Sequence, residues 1–214
     1  MAQLLFFDDK HEYVLDGELI PSVSELARFC SREIYSNINQ YTLDNACDRG
    51  TKVHKACENI DLFGECEVDA EISGYVNAYV QFRKDYKIKK DNIVLIEKSL
   101  AHNEMRFAGT IDRVFKIDSK TIIVDLKSSS VVKKILAKIQ LNGYEKLYFY
   151  NYNEPIDELW ILQLKADGTY SVIKIAKDDT LFMACYNIDK EFRSSKRKKK
   201  KEKEDGTDTK WNGA

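Results

Sequence analysis

Within FAGTIDRVFKIDSKTIIVDLKSS, residues 107–129, two aspartates and a lysine stand where a sheet would bring them together. The β-branched and aromatic content predicts two strands joined at Asp118-Ser119, a register that sets Asp112 opposite Asp125 and Val114 opposite Ile123. Directly opposed residues have Cβ atoms about 4.5–5.5 Å apart, and like charges there destabilise the pair. Two facing carboxylates in a buried sheet need a shared proton or a divalent cation, and a hard cation such as Mg2+ takes carboxylate, carbonyl and water oxygens. Lys127, two residues beyond Asp125, points to the same face because strand side chains alternate. Such a group can hold a metal-bound water, lower its pKa and set it against a phosphodiester, with Lys127 orienting the water or offsetting developing charge. The competing reading is a structural Asp–Lys ion pair beside an incidental second aspartate.

The elements that position these residues are legible on either side. EYVLDGELI places Asp16-Gly17 between two apolar runs, the chemistry of a tight type I′ hairpin. Ser22 to Glu25 reads as a capping box for a short helix carrying Leu26 and Phe29. A second helix is expected from about Asp48 to Leu62, with Val53, Ala56, Cys57 and Ile60 inward and His54, Glu58 and Asp61 on an adjacent stripe. A third is expected over Glu71–Tyr86. Strands follow at NIVLIEKSLA, RFAGTIDRVFKI and TIIVDLK. A helix over Val132–Tyr150 comes next, turning Ile135, Ile139, Leu141 and Leu147 mostly inward. Strands ELWILQLKA and YSVIKIA, joined at Asp167-Gly168, precede a helix over Asp178–Phe192. The order predicts an α/β fold with a mixed central sheet flanked by helices, preceded by an N-terminal helical segment.

This arrangement resembles the PD-(D/E)XK nuclease superfamily, in particular its RecB-like branch. There a helix bearing a His precedes a strand with G-x-x-D, a strand with (D/E)-x-K and a helix with Q-x-x-x-Y. The matching residues are His54 in RGTKVHKACE, Asp112 in GTID, Asp125 and Lys127 in DLKSS, and Gln140 with Tyr144 in QLNGYEKLY. The resemblance spans Pro21 to Lys165, and PSVSEL before the His helix also looks like phage recombination exonucleases and mitochondrial genome maintenance exonucleases. It implies a restriction-endonuclease-like αβββαβ core. It also implies that His54, Asp112, Asp125 and the backbone carbonyl of Leu126 bind Mg2+ or Mn2+, with Lys127 as catalytic base or water-positioning group. Gln140 and Tyr144 would lie by the scissile strand, and Arg49, Lys133 and Lys134, which flank the motifs, would contact phosphates. Glu58 and Glu97 read equally well as residues supporting the site and as solvated or edge acids.

Ile111 stands where the family name expects Pro, and Asp125 replaces the commoner Glu. Some relatives hold an iron–sulfur cluster on one Cys before the His helix and three near the C-terminus. Only Cys185 follows the catalytic strands here, so no cluster is expected, and Cys57 reads as core. Five cysteines without a C-x-x-C pair fit a reducing compartment.

A chain of 214 residues with 43% apolar content can bury one sizeable core, and 9 Gly with 2 Pro argue against fibrous or disulfide-scaffold classes. The net charge of −1 averages an acidic body, −6 over residues 1–192, and a basic run, RSSKRKKKKEK, with eight Lys or Arg. Residues 1–192 are therefore expected to form a single nuclease domain and 193–214 a basic, disordered tail, either simply solvated, or a tether for nucleic acid or, in a nucleated cell, an import signal. No apolar run is long enough to span a bilayer, and no signal or transit peptide is visible. The expectation is a cytoplasmic deoxyribonuclease of a bacterial or phage-infected cell, acting as an exonuclease on DNA that is single-stranded or has free ends. A recombination or replication protein is a possible partner. The alternatives are a nucleic-acid-binding or inhibitory protein on the same fold and a structure-specific endonuclease.

Overall fold

A computed structural model describes residues 3–7 and 10–205, the last ten of these by backbone alone. Five strands form one sheet in the order β4 (Ile93–His102), β5 (Phe107–Ile117), β6 (Lys120–Lys127), β7 (Glu158–Leu164), β8 (Tyr170–Ile175). Neighbours are antiparallel except β6 and β7, which are parallel and joined through helix α5 (Lys134–Tyr152). That crossover makes the sheet mixed, as expected. The β5–β6 hairpin turns at Asp118 and Ser119, both with left-handed φ, and pairs Val114 with Ile123 in the expected register.

Alternation along the strands sends residues to two separate cores. Ile123, Val114 and Ile161 face α5, with α1 (Val23–Leu26) and α6 (Thr180–Asp205) behind it. Ile122, Val124, Leu126 and Phe115 face α3 (Gln40–Phe63) and α4 (Ser73–Asp85). Both ends of the Ser22–Glu25 capping box form, and Pro21 O accepts the Ala108 N–H at 2.9 Å, tying α1 to β5.

Several expectations are corrected. The N-terminal segment is not only helical: β1 (Leu4–Phe7), β2 (Glu12–Leu15) and β3 (Glu18–Ile20) form a small antiparallel sheet around the Asp16-Gly17 turn, and Tyr13, Leu15 and Ile20 pack on Ala101 and Ala108. Phe29 belongs to a separate helix, α2 (Arg28–Tyr35), and is exposed. Helix α3 starts eight residues before Asp48 because the Asn39 side chain accepts the Tyr41 N–H and caps it there. Ile135 is exposed, since the first turn of α5 borders a cleft rather than the core. Helix α6 continues through the basic run to Asp205 instead of stopping at Phe192. Apart from Ser194 and Ser195 the run is made of Lys, Arg and Glu, good helix formers, and it holds no Gly or Pro before Gly206. The rest of the expected disordered tail, 206–214, lies outside the described residues. No helix among the described residues is long and apolar enough to cross a membrane.

Helix α5 meets α1 and α6 at Gly143. A Cβ there would stand 2.8 Å from Phe182 and 2.9 Å from Val23, closer than side chains pack. Gly143→Ala should therefore destabilise by about 1–3 kcal/mol through overpacking. Thermal melting should show a Tm lower by roughly 2–12 °C; an unchanged Tm would mean the helices part without cost.

Candidate metal centre

The paired ladder of β5 and β6 ends at Arg113 and Val124. One position beyond, the strands part and a side chain takes over: Asp112 Oδ2 accepts the Leu126 N–H at 2.7 Å. Asp112 and Asp125 thus stand at the opening of the hairpin, 7% and 1% exposed. The Lys127 ammonium lies 2.7 Å from Asp125 Oδ2. Its side chain is about one-third exposed, so this ion pair has a wet end and a dry end.

The other side of the centre comes from α3. His54 Nε2 lies 3.1 Å from Leu126 O, while Nδ1 lies 3.3 Å from Glu97 Oε1 and 3.7 Å from Asp112 Oδ2. Glu97 is level with Asp112, because the pairs Ile96–Arg113 and Lys98–Ile111 bracket it. Its φ of 41° is the left-handed conformation that a strand residue rarely takes, and here it turns the carboxylate toward His54. His54, Glu97 and Asp112 offer ligand atoms all within 4.8 Å of one another.

Three carboxylates on adjacent strands would repel strongly without compensation. Burial pushes Asp112 upward and Asp125 up to about 6, in each case against the pull of a neighbouring cation, His54 or Lys127. For His54 burial acts in the opposite direction, yet Asp112 and Glu97 outweigh it and raise the imidazole to about 9. At neutral pH without a metal it is therefore imidazolium, with Nε2–H donating to Leu126 O. Lys127 is likewise held protonated, since Asp125 and Asp112 outweigh its burial.

Arg113 supplies the deepest countercharge. Fully buried, it donates from Nε to Asp61 at 2.5 Å and from Nη1 to Glu97 at 2.9 Å and to Asp112 O at 2.6 Å. Asp61 also accepts from Tyr79 at 2.6 Å and pairs with Arg83 at 3.2 Å. Sequence reasoning placed Asp61 only on a helix stripe with His54 and passed over Arg113. The one local signal was the seven-residue spacing that puts His54 and Asp61 on one face of a helix, and it does not reach Arg113.

On the α5 side, Lys127 donates to Gln140 Oε1 at 3.3 Å and Gln140 Nε2 donates to the Tyr144 hydroxyl at 2.8 Å. Gly109, the glycine of GTID, gives the Tyr144 ring its place: a Cβ there would stand 2.9 Å from Cε1. The structure thus brings together His54, Asp112, Asp125, Leu126, Lys127, Gln140 and Tyr144. Lys133 lines the adjoining cleft. Arg49 and Lys134 are not gathered in: the Arg49 guanidinium lies 5.7 Å over the Tyr75 ring toward α4, and Lys134 is exposed on the first turn of α5. Glu58 pairs with Lys55, and Cys57 is core as expected.

The donor set suits a hard divalent cation. Asp125 Oδ1 is buried with no hydrogen-bond partner, and Oδ2 has only the ion pair with Lys127, an arrangement that native interiors otherwise avoid. The donors that lie within reach of one another are His54, Glu97 and Asp112, and Asp125 stands beside that group rather than in it. Binding would have to displace the His54 proton. Comparison with known proteins finds no matching family model and no matching characterised sequence.

A test follows from Asp125. Its carboxyl titrates higher folded, at about 6, than its ordinary value of 3.8, so between these pH values the folded protein holds a proton that the unfolded chain has released. Metal-free stability then falls as pH rises through that window. Asp125→Asn in EDTA should melt higher than the parent at pH 7.5, with the gap closing at pH 5. If the variant melts lower at both values, the carboxylate is a structural ion-pair partner and no cation is required.

Proposed function

We propose that this chain is a metal-dependent deoxyribonuclease resembling the RecB-like branch of the PD-(D/E)XK superfamily, acting as an exonuclease on DNA that is single-stranded or has free ends. The observation that carries the reading is the buried, unpartnered Asp125 carboxylate beside Asp112, with Lys127 at its open end. Helix α4, the three strands β4–β6, α5 and β7 run in the αβββαβ order that the resemblance implies. Mg2+ or Mn2+, when bound, would polarise the phosphodiester and provide an activated water near neutral pH.

The chain's own residues divide the remaining work. Asp112 and Asp125 would hold the cation, with the Leu126 carbonyl, His54 and the adjoining Glu97 available to complete the set. Lys127 stays protonated in the metal-free protein, which suits it to orient a water or offset negative charge at the phosphorane more than to remove a proton. Gln140 restrains that ammonium, and Tyr144 restrains Gln140. DNA must approach a body of net charge −6, and the basic run that continues α6 offsets this repulsion at long range.

The direct test incubates the full chain with a linear single strand, a linear duplex and a closed single-stranded circle in Mn2+ or Mg2+. Linear strands should be degraded and the circle spared. Lys127→Ala should lower the rate by about 100- to 1000-fold, and Asp125→Asn should abolish it. Binding of all three DNAs without cleavage would instead favour a nucleic-acid-binding protein on this fold. Truncation after Ser195 keeps the Arg193–Asp189 pair but removes seven of the eight basic residues. If three or four of them meet phosphates, the slope of log affinity against log salt should flatten by about 2–3. Identical salt series with and without the segment would remove the tether.

A further inference from the structure

Between the end of α2 and the start of α5 lies a cavity of about 130 Å3, directly beside Lys127. Its wall includes Tyr35, Lys127, Val131, Lys133, Leu136 and Gln140, and no Asp or Glu lines it. The cavity is therefore cationic and half apolar, whereas the centre behind it is acidic. Tyr35 ends α2 and is half-buried. Lys133 opens α5 without a side-chain cap, leaving the first N–H groups of that helix without intrahelical partners at the same end.

The wall is held in place before anything binds. Gln163 on β7 donates to the carbonyls of Ser129 and Ser130 at 2.8 and 3.0 Å, and Ser129 Oγ donates to Val131 O at 3.2 Å. A cavity of about 150 Å3 accepts one benzene-sized ring. This one is a little smaller but open on one side, so a single aromatic ring can seat in it in part and a base pair cannot.

We propose that this cavity receives the base of one unpaired nucleotide, stacked on Tyr35 with Lys133 meeting its phosphate, so that the chain selects single strands and frayed ends over paired duplex. This rests on the DNA reading above. Because Lys127 belongs both to the cavity and to the Asp125 ion pair, a nucleotide seated here brings its neighbouring phosphodiester against the carboxylates. Selection for an unpaired end then follows from the size of the cavity and not from base-edge contacts, as in other stacking sites for single strands.

The test uses the full chain in EDTA, so that nothing is cleaved, with a labelled oligothymidylate and a blunt duplex of equal length followed by anisotropy. Tyr35→Ala should weaken single-strand binding by about 5- to 100-fold, the range for loss of one base–aromatic stack, and leave duplex binding nearly unchanged. Tyr35→Phe should retain it. Val131→Glu, at a position 62% exposed where folding is not at stake, sets a carboxylate at the mouth and should also weaken the single strand selectively. Wild-type single-strand affinity in Tyr35→Ala and Val131→Glu, equal loss for both DNAs, or a Tyr35→Phe defect as large as that of Tyr35→Ala would each overturn the proposal. Selective binding by a wild-type chain that cleaves nothing in Mn2+ would leave the cavity standing and remove the nuclease reading. Cleavage with no dependence on Tyr35 would do the reverse.

Discussion

Glu97, Asp112 and Asp125 stand on three adjacent strands, and their mutual repulsion in a desolvated setting is the constraint around which the rest of the structure is arranged. Like charges at this spacing oppose folding unless cations or protons intervene. Each carboxylate has its own answer: Arg113 and His54 for Glu97, His54 and the Leu126 N–H for Asp112, Lys127 for Asp125. The Asp125 answer is the least complete, for one oxygen is left with no partner at all. An incomplete compensation at the centre of a sheet weakens the protein by itself, and such local conflicts are expected at functional sites.

That requirement accounts for the placing of the flanking helices. Helix α3 brings His54 to the carboxylates and, two turns further on, Asp61 to Arg113, so one helix supplies both a cation and the anchor of another. Breaking that anchor would leave a buried guanidinium short of a partner, a costly outcome. Helix α5 serves the opposite face, where Gln140 and Tyr144 hold Lys127 and Gly109 makes room for the tyrosine ring. The two faces differ in stiffness of chemistry: Arg113 and Asp61 are fully buried, while Lys127 remains partly in water.

Much of this was legible in the sequence where the governing interactions are local. The Asp118-Ser119 and Asp16-Gly17 turns, the Ser22–Glu25 box and the strand alternation follow from turn chemistry and period, and the first of these sets a register that holds as far as Arg113 and Val124, one position short of Asp112 and Asp125. What escaped depends on residues distant in the chain. Arg113 meets Asp61 across 52 positions, and no spacing rule marks an arginine next to an aspartate as the buried member of such a group. Glu97 looked ambiguous for a similar reason, because only its left-handed backbone turns it toward His54. The early start of α3 was missed because none of residues 40–47 is buried and the length of α6 because its extra turns are polar, so burial-driven periodicity was silent there and capping or intrinsic propensity decided.

The asymmetry of burial also sets the direction from which a substrate can arrive. On the α3 side, His54, Arg113 and Glu97 close the centre with charges committed to one another. Opening that side would expose the Arg113–Asp61 pair and strip Asp112 of its nearest cation. On the α5 side the boundary is Lys127, a third exposed, restrained by one long hydrogen bond to Gln140 and adjoining a cavity without acids. A polyanion therefore meets attraction on that approach and carboxylates only after reaching the ammonium. The orphaned oxygen of Asp125 lies behind Lys127, so under the proposed nuclease reading the least compensated carboxylate coincides with the place where a cation and a phosphate would be drawn together.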